Sequence, residues 1–129
     1  MVQILLSAAI GYLTAKLIKF TKAIIRKQKK PLNQFFVTGG MPSAHTTTTA
    51  ALATSIFLVE GLASTAFAIS IIFYLIVFRD AIGVRRTVGE LGELTKKDIH
   101  KSKGHTIPEV TIGTILGIAI SLCLHLALF

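Results

Sequence analysis

Residues 39 to 49 read Gly39-Gly40-Met41-Pro42-Ser43-Ala44-His45-Thr46-Thr47-Thr48-Thr49, and an apolar helical run follows from Ala50. Two glycines give a permissive turn. Pro42, with a fixed φ and no N–H, suits a helix's first turn, and Ser43 is a natural N-terminal residue. The threonine hydroxyls can bond back to carbonyls one turn earlier. His45 therefore stands at the mouth of a helix, where free N–H groups and the helix dipole attract anions. A hydroxyl, free amides and an imidazole together suit a phosphate. A capped helix start with an incidental histidine accounts for the same residues equally well.

Outward from that turn the chain is very apolar. Its 129 residues, 52% of them hydrophobic and 16% charged, suit a single domain, 1–129, too greasy for an ordinary soluble protein. Apolar runs approach the ~20 residues that span a bilayer. The formal charge of +8 comes from clustered cations, which read first as topology signals. Aromatic-interleaved basic repeats are missing, so nucleic acid is not an expected partner. The lone Cys123 sits in an apolar run, cannot form an intrachain disulfide and is silent on redox compartment.

The sequence predicts an all-α polytopic membrane protein, a bundle of about four transmembrane helices. The first runs from about Val2 to Phe20. It lacks a basic region ahead of it and reads as a retained span rather than a cleaved signal, with an amphipathic surface helix as the competing reading. Lys16 and Lys19 are expected to snorkel to the cytoplasmic surface. A basic helical extension over 21–34, with Lys22, Arg26, Lys27, Lys29 and Lys30, is expected to end with the help of Pro31. The second helix is expected from Ala44 to Ala63, a tight turn at Glu60, Gly61 and Ser64, the third helix from Thr65 to Val84, and the fourth from Ile107 to Phe129.

The connector between the first two helices is strongly basic, and that from Arg85 to Gly104 holds Arg85, Arg86, Lys96, Lys97, Lys101 and Lys103. The connector from Glu60 to Ser64 has one acid and no base. By the positive-inside rule, four spans put both basic connectors in the cytoplasm and both termini outside. The same parity gathers Lys29, Lys30, Ser43, His45, Arg79, Asp80, Arg85, Arg86, His105 and Glu109 at the cytoplasmic interface. Ionisable groups at membrane depth are functional candidates. Headgroup anchoring explains Arg85 and Arg86 tolerably, but not two histidines beside helix starts.

The last helix opens with Gly104-His105-Thr106-Ile107-Pro108-Glu109. Thr106 and Glu109 have the spacing of a capping box, and Pro108 is harmless in the first turn. Alternatively Glu109, four residues after His105, accepts a hydrogen bond from its imidazole and fixes the tautomer, as a triad acid does. One carboxylate is not expected to serve both roles fully.

Pro42-Ser43-Ala44-His45 resembles the central Pro-Ser-Gly-His motif of the type 2 phosphatidic acid phosphatases and vanadium haloperoxidases. His105 with Glu109 is similar to their last motif, a His followed four residues later by Asp. The divergent PAP2 branch of that superfamily is closer still. It resembles this chain in Gly-Gly-Met-Pro-Ser-x-His, in Asp80-Ala81-x-Gly83-Val84-Arg85-Arg86, and in Gly104-His105-Thr106-x-x-Glu109-Val110. Together these cover roughly Gly39 to Gly117.

The resemblance implies that His105 is the nucleophile taking the phosphoryl group, oriented by Glu109, and that His45 protonates the leaving oxygen. Ser43 and the amide of Ala44 are implied to cradle phosphate oxygens. The departures concern the cations. Ala44 replaces the parent Gly, and Lys30-Pro31 matches only the end of the parent first motif, because position 23 is Ala. Ile99 stands where the parent has an Arg, so Arg79, Arg85 or Arg86 is expected to substitute. Asp80 is a further candidate. The parent fold also has about six core helices.

The reading that results is a metal-independent lipid phosphate phosphatase of the cell membrane. It uses no cofactor and acts through a phosphohistidine, with its site facing the cytoplasm. Cations and helix-start amides suit the charge spread over phosphoryl oxygens in the transition state. A non-catalytic membrane protein that binds or transports anionic lipid or phosphate is the alternative, and a vanadate-dependent oxidase is disfavoured by membrane burial. There is no Gly-rich Lys-Ser/Thr loop for nucleotide hydrolysis. Gly113 and Gly117 form a small-xxx-small pair expected to pack within the monomer. Because four helices are few to enclose a site, a homodimer is also an expectation.

Overall fold

The computed structural model of the chain describes residues 1–32, 39–95 and 104–128, all helix and turn with no strand among them. The helices are α1 (Val2–Ile25), α2 (Ala44–Glu60), α3 (Thr65–Ile82), α4 (Val84–Thr95) and α5 (Ile107–Leu128). Among the connector residues named above, Lys96, Lys97, Ile99, Lys101 and Lys103 lie outside the described residues, as does Phe129.

α2 is the central helix and packs against α1, α3 and α5. Its contact surface is made of small side chains: Ala44, Ala50, Ala51 and Ala53 are buried with Thr46, Thr47 and Ser55. Small residues let helix backbones approach closely where lipid and protein are equally apolar. The glycines of the flanking helices show how closely. A Cβ at Gly117 would lie 2.3 Å from the Thr47 carbonyl oxygen, and one at Gly113 2.8 Å from that of Ser43. On α1, a Cβ at Gly11 would meet the Ala51 Cβ at 3.2 Å. The large apolar side chains point outward instead, as Leu5, Leu13, Ile69, Ile72, Ile76 and Ile115 do. Such an inverted distribution suits lipid as the surrounding solvent.

Three stretches are long and apolar enough to cross a membrane: Val2–Ile25, Thr65–Leu94 and Ile107–Leu128. α2, the remaining expected span, has 17 residues, the lower end of the ~17–25 that cross a bilayer. The expected threonine bonds are formed, with Thr47 Oγ1 donating to the Ser43 carbonyl at 2.8 Å and Thr48 Oγ1 to that of Ala44 at 2.7 Å.

Three expected boundaries are corrected. The first span and its basic extension are one helix that stops at Ile25, well before Pro31. Lys27 takes φ 50, so local backbone geometry ends the helix. α2 stops at Glu60 rather than Ala63, because Gly61 takes φ 83. The third helix ends at Ile82, and the expected connector from Arg85 begins as a helix. Gly83, at φ −103 and ψ −96, breaks the line. Helical bonding then resumes, with the Thr87 N–H donating to the Gly83 carbonyl at 3.0 Å. The spacing of Val84, Val88, Leu91 and Leu94 marks that helix, but the two arginines obscured it.

Candidate active site

Backbone contacts bring four helix ends together. The Ser43 N–H donates to the Glu109 carbonyl at 3.2 Å, joining the starts of α2 and α5. The His105 N–H donates to the Ala81 carbonyl at 3.0 Å, which adds the end of α3. Lys19 of α1 donates from Nζ to the Gly39 carbonyl at 2.8 Å, and Lys22 to that of Met41 at 3.3 Å. The Gly-Gly-Met turn is thus held from α1 by its carbonyls. Gly104 takes φ +65, and a Cβ there would lie 2.4 Å from the Arg86 Cα. Only glycine permits both that conformation and that approach.

His105 is 3% exposed. Its Nδ1 lies 3.2 Å from Glu109 Oε2, and the Thr106 N–H donates to the same oxygen at 3.1 Å. The two readings of Glu109 are therefore combined on one atom. The capping box is half formed, since it is the Thr106 amide and not its hydroxyl that engages Glu109. Burial disfavours the imidazolium of His105, and the Lys19 charge disfavours it further. These outweigh the opposing contact with Glu109 and hold the His105 pKa below its ordinary value. A neutral ring with Nδ1–H on a carboxylate keeps its lone pair on Nε2.

His45 is half-buried, in the electrostatic field of Arg85, Lys16, Lys19 and Asp80. His105 and His45 are close enough to feel each other's charge. A cavity of about 260 Å³ adjoins His105 and Glu109, walled by Gly40, Arg86, Glu90 and Glu93. Lysines of α1 thus act on both histidines, while α4 brings Arg86, Glu90 and Glu93 to the cavity.

The other expected residues divide. Ser43 is 0% exposed and caps α2, its Oγ accepting from the Thr46 N–H at 3.4 Å and from the Thr46 hydroxyl at 2.8 Å. Its amide is taken by Glu109. The amides of Ala44 and His45, in the first turn, make no hydrogen bond among the described residues. Asp80 accepts from Arg85 Nε, and Arg85 is the one of the expected cations whose charge acts on His45. Arg86 reaches the cavity but pairs with Glu90 at 2.9 Å. Arg79 and Lys30 are exposed. Among the described residues, no group of three or more His, Cys, Asp or Glu could hold a metal ion.

Sequence reasoning missed Lys16 and Lys19. They do not snorkel: they are 6% and 5% exposed, and Lys16 lies 5.6 Å from the Tyr12 ring centroid. The signal was present. Ser7, Gly11, Ala15, Lys19 and Ala23 recur every four residues and are all buried on one side of α1. A lysine set within a stripe of small residues is turned inward with them.

The model of the divergent PAP2 family matches residues 2–120. The chain belongs to the divergent PAP2 family. The match extends through α1, so it takes in the buried lysines as well as the three motifs. The chain is also 40% identical over 93 residues to the uncharacterized membrane protein YuiD of Bacillus subtilis (strain 168). That alignment covers 72% of this chain and 59% of YuiD, so the chain spans less than two thirds of that relative's length. No solved structure matches the chain. Family, relative and apolar helices together identify a helical integral membrane protein of the divergent PAP2 family.

Proposed function

We propose that this protein is a membrane-embedded phosphatase that hydrolyses a lipid phosphate monoester or pyrophosphate through a phosphohistidine on His105. The observation that carries the reading is the 3.2 Å contact of His105 Nδ1 with Glu109 Oε2, on an imidazole that borders a cavity. Nε2 attacks phosphorus in line. The N–P bond forms as the P–O bond to the lipid breaks, and His45 gives its proton to the leaving oxygen. Water then attacks phosphorus with its proton passing to His45, the N–P bond breaks, and inorganic phosphate leaves.

Lys19, Lys16, Arg85 and the Ala44 amide supply positive potential for the charge on the phosphoryl oxygens. On the α4 side Arg86 is paired with Glu90, so the lysines of α1 are the cations left to attract the phosphoryl group. The cations at this end of the bundle, among them Lys22, Arg26, Lys27, Arg85 and Arg86, favour the cytoplasmic leaflet. A site at a leaflet surface favours an amphipathic substrate over a soluble one.

A second reading, a non-catalytic protein that binds or transports anionic lipid or phosphate, draws on the engagement of both Ser43 polar groups inside the protein. Detergent-purified protein with a panel of lipid phosphates and pyrophosphates separates the two. Phosphate release that is lost in a folded His105→Ala variant, with acid-labile phosphate trapped on the wild type, supports the phosphatase. Saturable lipid binding with no release from any member of the panel supports the second reading.

A further inference from the structure

α3 alone has 18 residues, about 27 Å at 1.5 Å per residue, close to the ~30 Å hydrocarbon thickness of a bilayer. α4 follows directly, so it begins where the hydrocarbon ends. Among the described helices its packing partner is α3. Val84, Val88, Leu91 and Leu94 follow one another at spacings of four, three and three. They form a single stripe, exposed at 66%, 38%, 52% and 80%. The opposite side of α4 carries Arg86, Glu90 and Glu93, which wall the cavity beside His105. One helix therefore turns its polar face to the site and its exposed apolar side chains away from it.

Continuity decides what covers that face. An apolar groove of about 920 Å³ runs along the outer side of α3 past Ile72, Ile76 and Phe78 to Arg79 and Val84. The outward face of α3, with Ile69, Ile72 and Ile76, is the surface that lipid must cover. Val84, at the end of that groove past Arg79 and Asp80, joins the α4 stripe to it. Within α4, Arg85 and Arg86 balance Glu90 and Glu93, so seating depends on apolar area rather than on anionic lipid. An amphipathic helix of low mean hydropathy at the end of a span has the character of an interfacial helix.

We propose that α4 is a membrane-surface helix, with Val84, Val88, Leu91 and Leu94 in the headgroup–acyl boundary and its polar face roofing the His105–Glu109 cavity. The bilayer then backs the helix whose polar face walls the site. The inference concerns placement and stands whether or not the chain is a phosphatase.

The chain contains no Trp, so single tryptophans report on α4 without background. Val88→Trp, Leu91→Trp and Glu93→Trp are compared in full-length protein reconstituted into phosphatidylcholine vesicles. Brominated lipid should quench tryptophan at 88 and 91 strongly, at a depth of roughly 5–10 Å, and aqueous acrylamide should quench it at 93. Leu94→Trp, at the most exposed position, is the second variant should the others fold poorly, and it should behave as 91 does. Equal acrylamide quenching at all positions would overturn the proposal by placing α4 in water. Shielding of 88 and 91 from both quenchers, relieved by dilution of protein in lipid, would overturn it by placing a second copy there.

Discussion

Oε2 of Glu109 stands 3.2 Å from Nδ1 of His105 while also taking the Thr106 amide. One carboxylate oxygen thus orients the ring and closes the first turn of α5. Glu109→Gln keeps the side chain's shape but removes its charge, so turnover should fall by on the order of 10²-fold or more as tautomer control and charge partner are lost. The cap is weakened too, and stability should drop by about 1 kcal/mol. Thr106→Val retains the backbone N–H that makes the contact and should leave both rate and melting temperature nearly unchanged. Phosphate release and thermal melting, measured on the same detergent preparations, check all three outcomes. A Glu109→Gln enzyme of normal rate would show that Glu109 is only a cap.

The acid side of the pH–rate profile follows from His105. In the proposed mechanism the ring must be neutral to attack, and its pKa is held below 6.5 by burial and then by Lys19. Activity should therefore persist as pH falls through 6.5 and decline only at lower pH. Removing the repelling cation in Lys19→Met raises the His105 pKa, so the acid limb should move to higher pH even if the overall rate also drops. A limb that stays in place in Lys19→Met would show that Lys19 does not act on the nucleophile.

His45 should reveal itself through leaving-group chemistry. His45→Ala should slow release from an alkyl lipid phosphate by on the order of 10²-fold or more, the usual worth of a general acid. A nitrophenyl phosphate, whose leaving oxygen needs no proton, should lose much less. Equal losses on both substrates would assign His45 to phosphate binding instead.

Gly117 is where α5 meets α2 most closely. Its Cβ would lie 2.3 Å from the Thr47 carbonyl oxygen and 2.9 Å from the Ala51 nitrogen, both backbone atoms that a side chain cannot push aside. Gly117→Leu should cost at least about 1–3 kcal/mol and part His105 from His45. Ile115→Ala, on the exposed side of the same helix, should melt normally. Because Gly113 and Gly117 pack inside the chain, they do not supply a dimer contact. Loss of native melting in Gly117→Leu, with no change in oligomeric mass for Ile115→Ala, is the expected pair of results in detergent.

Much of this protein was legible from local features. Hydropathy over 18 to 24 residues, the Gly-Gly turn, the Ser43 cap, threonines bonding one turn back and a His–Glu pair four apart are all set by neighbours in the chain. They determined a helical membrane protein with two histidines at helix starts and their cations at one end. Tertiary packing decided which side of each helix faces protein. On an apolar helix in lipid both faces read alike, because hydrocarbon and protein interior are nearly equivalent solvents. Only the close approach of α1 to α2 turned Lys16 and Lys19 inward. Only the tertiary structure brought the charge of Arg85, rather than that of Arg79 or Lys30, to bear on His45. The α4 helix depended on both levels: its apolar period lies in the sequence, but its place over His105 required Gly104 to admit the Arg86 backbone.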